Sequence, residues 1–139
     1  LWAKYTRCVK LAAKSEEYRI LLPSGNSVHY KNLVKQEENL TCVIVRNGRP
    51  MLVRPWAGMV TENCSQSLAR DIFCYHLRQI EEAGHKIILH VHDEVVIECA
   101  DADAKRTLEG VIKLMRTPPP WIPDIPLDAE GHVVKVYTK

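Results

Sequence analysis

The stretch Ile87-Ile88-Leu89-His90-Val91-His92-Asp93-Glu94-Val95-Val96-Ile97-Glu98 constrains this chain more than any other. Two apolar runs dense in Val, Ile and Leu flank one polar corner. Such runs favour strands, and these are short enough to be strands rather than helices. A tight hairpin follows, with His92, Asp93 and Glu94 at the tip of a stiff, buried ribbon. Two-residue hairpin turns usually carry Asn-Gly or Asp-Gly, so this charged corner is poor turn chemistry. A local rule broken inside an otherwise consistent element is where function is expected.

The rest of the composition bounds the class. A chain of 139 residues, 46% hydrophobic and 26% charged, suits one soluble domain with a real core. It lacks an apolar run near the ~20 residues of a membrane span and a leader-like opening, so no membrane partner is expected. It opens without an initiator Met, as a piece of a longer protein would. A net charge of +2 and a pI of 8.3 are too mild to argue nucleic-acid binding by themselves. The five cysteines lack any Cys-x-x-Cys pair, which leaves them as reduced, small apolar residues.

Taken in order, residues 1 to about 14 place Leu1, Tyr5, Cys8, Val9 and Ala12 on one helical stripe, with Lys4, Arg7, Lys10 and Lys14 opposite. That basic side reads as a solvated face, with phosphate tracking as the alternative. Residues 19–22 and 27–30 form strands around Pro23-Ser24-Gly25-Asn26, followed by a polar loop through Asn39. Residues 41–45 and 49–53 form a second hairpin around Asn47-Gly48, the strongest short hairpin signal present. Arg46, Arg49 and Arg54 face solvent there, with contact to DNA phosphate as the alternative.

The longest helix is expected from Thr61, as N-cap, to Ala83, with Cys64, Leu68, Ile72, Tyr75 and Ile80 on one stripe and Gly84 as the stop. Asp101 or Asp103 caps a further helix to about Met115, whose apolar face is Ala104, Leu108, Val111, Ile112 and Met115. Pro118-Pro119-Pro120 forbids its continuation, and residues 127–137 read as a last strand. The sum is an α+β fold, an antiparallel sheet of hairpins backed by helices, without βαβ crossovers.

The site candidates each have a bland reading. Asp93 is either a solvated turn aspartate or a hard-metal ligand, since Mg²⁺ typically draws one or two carboxylates from a protein. Glu94, its neighbour, faces the other way on a strand and is otherwise a plain strand-end glutamate. His90 and His92 share a face by period two, which suits a transition-metal pair, but no third ligand has convincing spacing. Gln66 is otherwise a polar residue on an exposed helix face, and Arg70 and Asp71 form a local ion network.

Val-His-Asp-Glu between two apolar strands resembles the third catalytic motif of family A DNA polymerases. The run from Glu62 through Gln66 to Ala69 and Asp71 resembles that family's palm helix, and Leu22-Pro23-Ser24-Gly25 an upstream hairpin of its phage branch. The tail, with Thr117-Pro118-Pro119-Pro120-Trp121 and Pro126-Leu127-Asp128-Ala129-Glu130-Gly131, resembles the ending of phage and prophage members.

The resemblance implies a palm-like fold over residues 1–139, the part of the palm that follows the fingers. Asp93 is then a catalytic metal ligand and Glu94 an accessory catalytic carboxylate. His92 lies by the primer end, and Gln66 contacts the DNA minor groove with Asn63 as a softer candidate. The family's commoner pattern has Asn four residues before the Gln, where this chain has Glu62. Two Mg²⁺ ions about 4 Å apart, primer-template DNA and deoxynucleoside triphosphates are implied, in the cytoplasm of a bacterial or phage-infected cell. The family's first motif, which carries the other metal-binding aspartate within Asp-Tyr-Ser and a following Glu, does not occur in this sequence, nor does the triphosphate-gripping fingers helix. The isolated chain is therefore expected not to polymerise. Two other readings stand: a catalytically dead remnant that binds DNA weakly or self-associates, and a metal-dependent nuclease using Asp93, Glu94 and a histidine.

Overall fold

A computed structural model describes residues 11–14, 17–36 and 39–137. The chain divides into two compact units, Leu1–Ala69 and Arg70–Lys139. The architecture is α+β and antiparallel throughout, as the hairpin pattern predicts.

The first unit is a five-stranded meander in which every sequence neighbour is also a spatial neighbour. Its strands are β1 (Leu11–Lys14), β2 (Glu17–Leu21), β3 (Ser27–Gln36), β4 (Asn39–Arg46) and β5 (Arg49–Val53). Period-two alternation sends Tyr18, Ile20, Val28, Tyr30, Cys42, Ile44 and Val53 to one face. Ile20, Tyr30 and Cys42 are buried there, and the register pairs Ile20 with Val28, Tyr18 with Tyr30 and Cys42 with Val53. Met59, Val60 and Cys64 of the following helix close this core. Burial pushes the thiols of Cys42 and Cys64 above their ordinary range, in keeping with unreactive core cysteines.

Two expectations fail in this unit. Residues 11–14 form a strand paired with β2 rather than the end of a helix, so long-range pairing overrides the helical preference of Leu-Ala-Ala-Lys. The remainder of that expected helix, and its basic face, lies outside the described residues. Residues 31–36 of the expected polar loop are strand instead, because β3 runs on to Gln36, and Asn39 already opens β4. One extra residue between Lys31 and Val34, with Asn32 at φ 51°, makes a bulge that absorbs the irregular polar sequence.

The long helix, α1, runs Ala57–Glu82 and spans the division at Ala69. It starts four residues before Thr61: Val60 N–H already bonds the Trp56 carbonyl, just past Pro55. Thr61 is interior, its hydroxyl donating to the Ala57 carbonyl at 2.9 Å rather than capping. At the other end Gly84, at φ +86°, donates to the Glu81 carbonyl and ends the helix as expected. A Cβ at Gly84 meets no atom within 4 Å, so only the backbone conformation opposes one. Gly84→Ala should therefore cost about 1 kcal/mol in a urea titration; an unchanged midpoint would mean the turn relaxes freely.

In the second unit, Ile72, His76 and Ile80 recur every four residues along α1 and are buried. The buried histidine is an addition to the expected stripe. Its Nε2–H donates to the Thr117 carbonyl at 3.0 Å, which ties α1 to the end of α2 (Ala104–Arg116). Val111 is buried on α2, with Leu108, Ile112 and Met115 half-buried beside it, the face read from sequence.

Neither expected aspartate caps this helix. Asp103 sits in the helical region at φ −98°, ψ −7°, which aims its carboxylate away from the first N–H groups, and it accepts from Arg106 instead. Asp101 opens a 3-10 turn and pairs with Lys135. The expected last strand over residues 127–137 does not form. Side chains fix that segment instead, and Gly131 passes so close to α2 that a Cβ would lie 2.8 Å from Leu108 Cδ1.

The ribbon of β6 (Lys86–Val91) and β7 (Glu94–Glu98) is antiparallel, with a one-residue bulge at Ile88 between the Ile87–Ile97 and Leu89–Val96 pairs. It is less buried than its composition suggests: Ile88 is 56% and Leu89 43% exposed. No helix among the described residues is long and apolar enough to cross a membrane.

Candidate functional site

Val91 and Glu94 form the last pair of the ribbon, which leaves His92 and Asp93 as a two-residue loop at its tip. His92 adopts φ +55°, a left-handed conformation that glycine usually supplies at such a position. A non-glycine residue there costs of order 1 kcal/mol and persists only where the surrounding structure imposes it. The turn thus sits where the charged corner of the sequence predicts it, and its strain is borne by the histidine beside the aspartate.

Asp93 is exposed and makes no hydrogen bond or ion pair with any described residue. Glu94 begins β7, is exposed, and accepts a hydrogen bond from the Tyr137 hydroxyl at 3.4 Å. The Tyr137 hydroxyl is held above its ordinary range, first by desolvation and then by the Glu94 charge and hydrogen bond. Sequence gives no sign of that partner, 43 positions away. At the base of the ribbon Lys86 pairs with Glu98 and holds its carboxyl below the usual range. His90 lies edge-on to Phe73 of α1, ring centroids 6.1 Å apart. It is a sheet histidine beside an aromatic ring.

Asn63 and Gln66 belong to the first unit. Asn63 is half-buried, and its amide donates to the Tyr30 hydroxyl at 3.0 Å. Burial raises the Tyr30 hydroxyl above its ordinary range, partly offset by this bond. Gln66, one turn on, is exposed and donates to Glu62 Oε1 at 3.2 Å, an i, i+4 pair. The Glu62 that stands where the resembled pattern has Asn thus takes one of the two N–H donors of the Gln66 amide and leaves the other.

The donors suit part of a metal site. Asp93 offers an exposed, unengaged carboxylate, and Glu94 a second one that already carries the Tyr137 bond. No group of three or more His, Cys, Asp or Glu that could hold a metal ion occurs among the described residues.

In comparisons with known proteins, the chain is similar to a DNA polymerase of Bacillus phage SP02, with 33% identity over 95 residues. That alignment covers 68% of this chain and 14% of the phage protein, so the chain spans about one seventh of its relative. No family model and no solved structure matches.

Proposed function

We propose that this chain, similar as it is to part of a phage DNA polymerase, carries one carboxylate-bearing turn of a template-directed nucleotidyl-transfer site of the family A type. The observation that carries the reading is the Asp93 carboxylate: exposed, without a partner among the described residues, and held at the tip of a two-residue turn. A free aspartate at a fixed point is ready to ligate without first breaking an ion pair.

In this reading Asp93 would help to hold a Mg²⁺ ion. The bound ions would supply activation of the primer 3′ hydroxyl and neutralisation of the leaving pyrophosphate. Glu94 assists from β7, its orientation set by Tyr137. His92 stands next to Asp93 in the turn and faces the primer end. Gln66 reads minor-groove acceptors that all base pairs present, which checks geometry without sequence preference. Asn63 serves more by bracing Tyr30 than by reaching outward. Primer-template DNA and deoxynucleoside triphosphates are the substrates of the complete protein.

The test is primer extension with Mg²⁺. The complete gene product should extend a template-primer, whereas the 139-residue chain alone should not, because the sequence lacks the Asp-Tyr-Ser run of the resembled first motif. Extension by the isolated chain would overturn the division of the site. DNA cleavage by it would favour a metal-dependent nuclease. A second reading, self-association of a catalytically silent chain, is favoured by one observation: Val45 and Leu52 are 72% and 68% exposed on neighbouring strands.

A further inference from the structure

The β4–β5 hairpin carries the arginines for which the sequence leaves open a solvent-facing role or contact with DNA phosphate. Arg46 and Arg49 are direct cross-strand partners, the last pair before the Asn47-Gly48 turn. Like charges directly opposite one another on a sheet destabilise it. The pair cannot drift apart, because Asn47 at φ 52° and Gly48 at φ 73° make a two-residue turn that fixes the register. Both side chains are exposed, as is Arg54 just past the end of β5. None of the three makes a hydrogen bond or ion pair with a described residue. Among the other described arginines, Arg78, Arg106 and Arg116 each hold a carboxylate, whereas Arg70, with no arginine paired to it across a strand, makes no such bond.

The charge around this pair points the same way. Residues 1–69 contain ten Lys and Arg against five Asp and Glu, whereas residues 70–139 contain nine against twelve. The mild net charge of the whole chain conceals a basic first unit and an acidic second one. Arg46 and Arg49 lie on the same sheet face as Cys42 and Ile44, two pairs beyond the core. No apolar burial explains two guanidiniums abreast at that point.

We propose that Arg46 and Arg49 form a phosphate fork that grips two neighbouring phosphates of a nucleic-acid backbone; Arg54, at the far end of β5 from the turn, is not part of it. Planar guanidiniums match phosphate oxygens with two parallel hydrogen bonds, and a polyanion relieves the repulsion between them. A backbone contact of this kind positions the nucleic acid and reads no sequence. It is separate from the Asp93 turn and stands or falls without it.

The test is fluorescence anisotropy of the 139-residue chain with a short labelled DNA duplex, titrated across salt concentrations. The doubly substituted R46Q/R49Q chain should bind roughly tenfold more weakly near 50 mM salt. Its plot of log affinity against log salt should be shallower by about 1.8, two phosphates at ~0.9 each. R46K/R49K should recover the slope and part of the affinity, since lysine keeps the charge without the fork. R78Q/R106Q removes the same charge from the second unit and should leave the slope unchanged. The thermal midpoint of R46Q/R49Q should rise, because a like-charge pair has gone, and this also shows that the chain still folds. The fork is refuted by any of three results: no duplex binding by the unmodified chain, an unchanged slope in R46Q/R49Q, or equal losses in R46Q/R49Q and R78Q/R106Q.

Discussion

Replacing Asp93 with alanine in the complete gene product should lower primer extension by about a thousandfold, ~4 kcal/mol of transition-state stabilisation, while circular dichroism and thermal midpoint stay put. The two halves of that expectation rest on the same geometry. A carboxylate with no partner among the described residues contributes nothing to folding that its removal could take away. The same freedom leaves its oxygens available to a cation. Surface substitutions away from special features usually change stability by less than ~0.5 kcal/mol. Glu94→Ala should be milder, roughly tenfold, since Glu94 already shares its charge with the Tyr137 hydroxyl. Rates of extension at saturating nucleotide, measured beside melting curves, separate the outcomes. If the Asp93 variant extends primers at an undiminished rate, the turn is not part of the reacting site. If it melts early, the aspartate has a structural partner beyond the residues described.

Ile80→Ala should cost about 3 kcal/mol of stability, within the range typical for truncating a buried isoleucine. Ile80 is fully buried, and its carbonyl accepts the His85 N–H at 3.2 Å across the Gly84 turn. The lost methyl groups thus leave a cavity at the point where α1 hands over to the ribbon. Ile88→Ala, eight positions on, should cost less than ~0.5 kcal/mol, because Ile88 is more than half exposed. Urea titrations of the pair check this contrast. Equal losses would mean that the bulged residue is covered in solution, by another copy of the chain or by sequence outside the described residues.

That contrast also marks how far the sequence could be read. Both hairpins with compact turns, the Gly84 stop and the apolar face of α2 were legible because each depends on local chemistry. Turn residues, a glycine with positive φ and a periodic stripe act over a few positions. What escaped depends on distant partners. Leu-Ala-Ala-Lys at residues 11–14 looks helical until β2 is available to pair with it. The polar run after Tyr30 looks like a loop until a bulge at Asn32 lets it stay in the sheet. Residues 127–137 look like a strand, yet no ladder takes them up, and Lys135 and Tyr137 fasten them by side chains instead.

The candidate site divides the same way. The position of His92 and Asp93 in the turn was readable from the corner between two apolar runs. The partners were not: nothing near Asn63 in the sequence announces Tyr30, and nothing near Glu94 announces Tyr137.

The bulge at Ile88 has a bearing on the tip of the ribbon. A strand presents alternate residues to alternate faces, so an added residue acts as a half-period delay. Everything from Leu89 onward is out of step with Lys86 and Ile87, and the delay decides which way Asp93 is handed when the chain reverses. Deleting Ile88 would join the Ile87–Ile97 and Leu89–Val96 pairs into an unbroken ladder. The ribbon would be more regular, and its acidic end would be turned over relative to its root. The aim of this carboxylate is therefore set by a count of residues as much as by their chemistry.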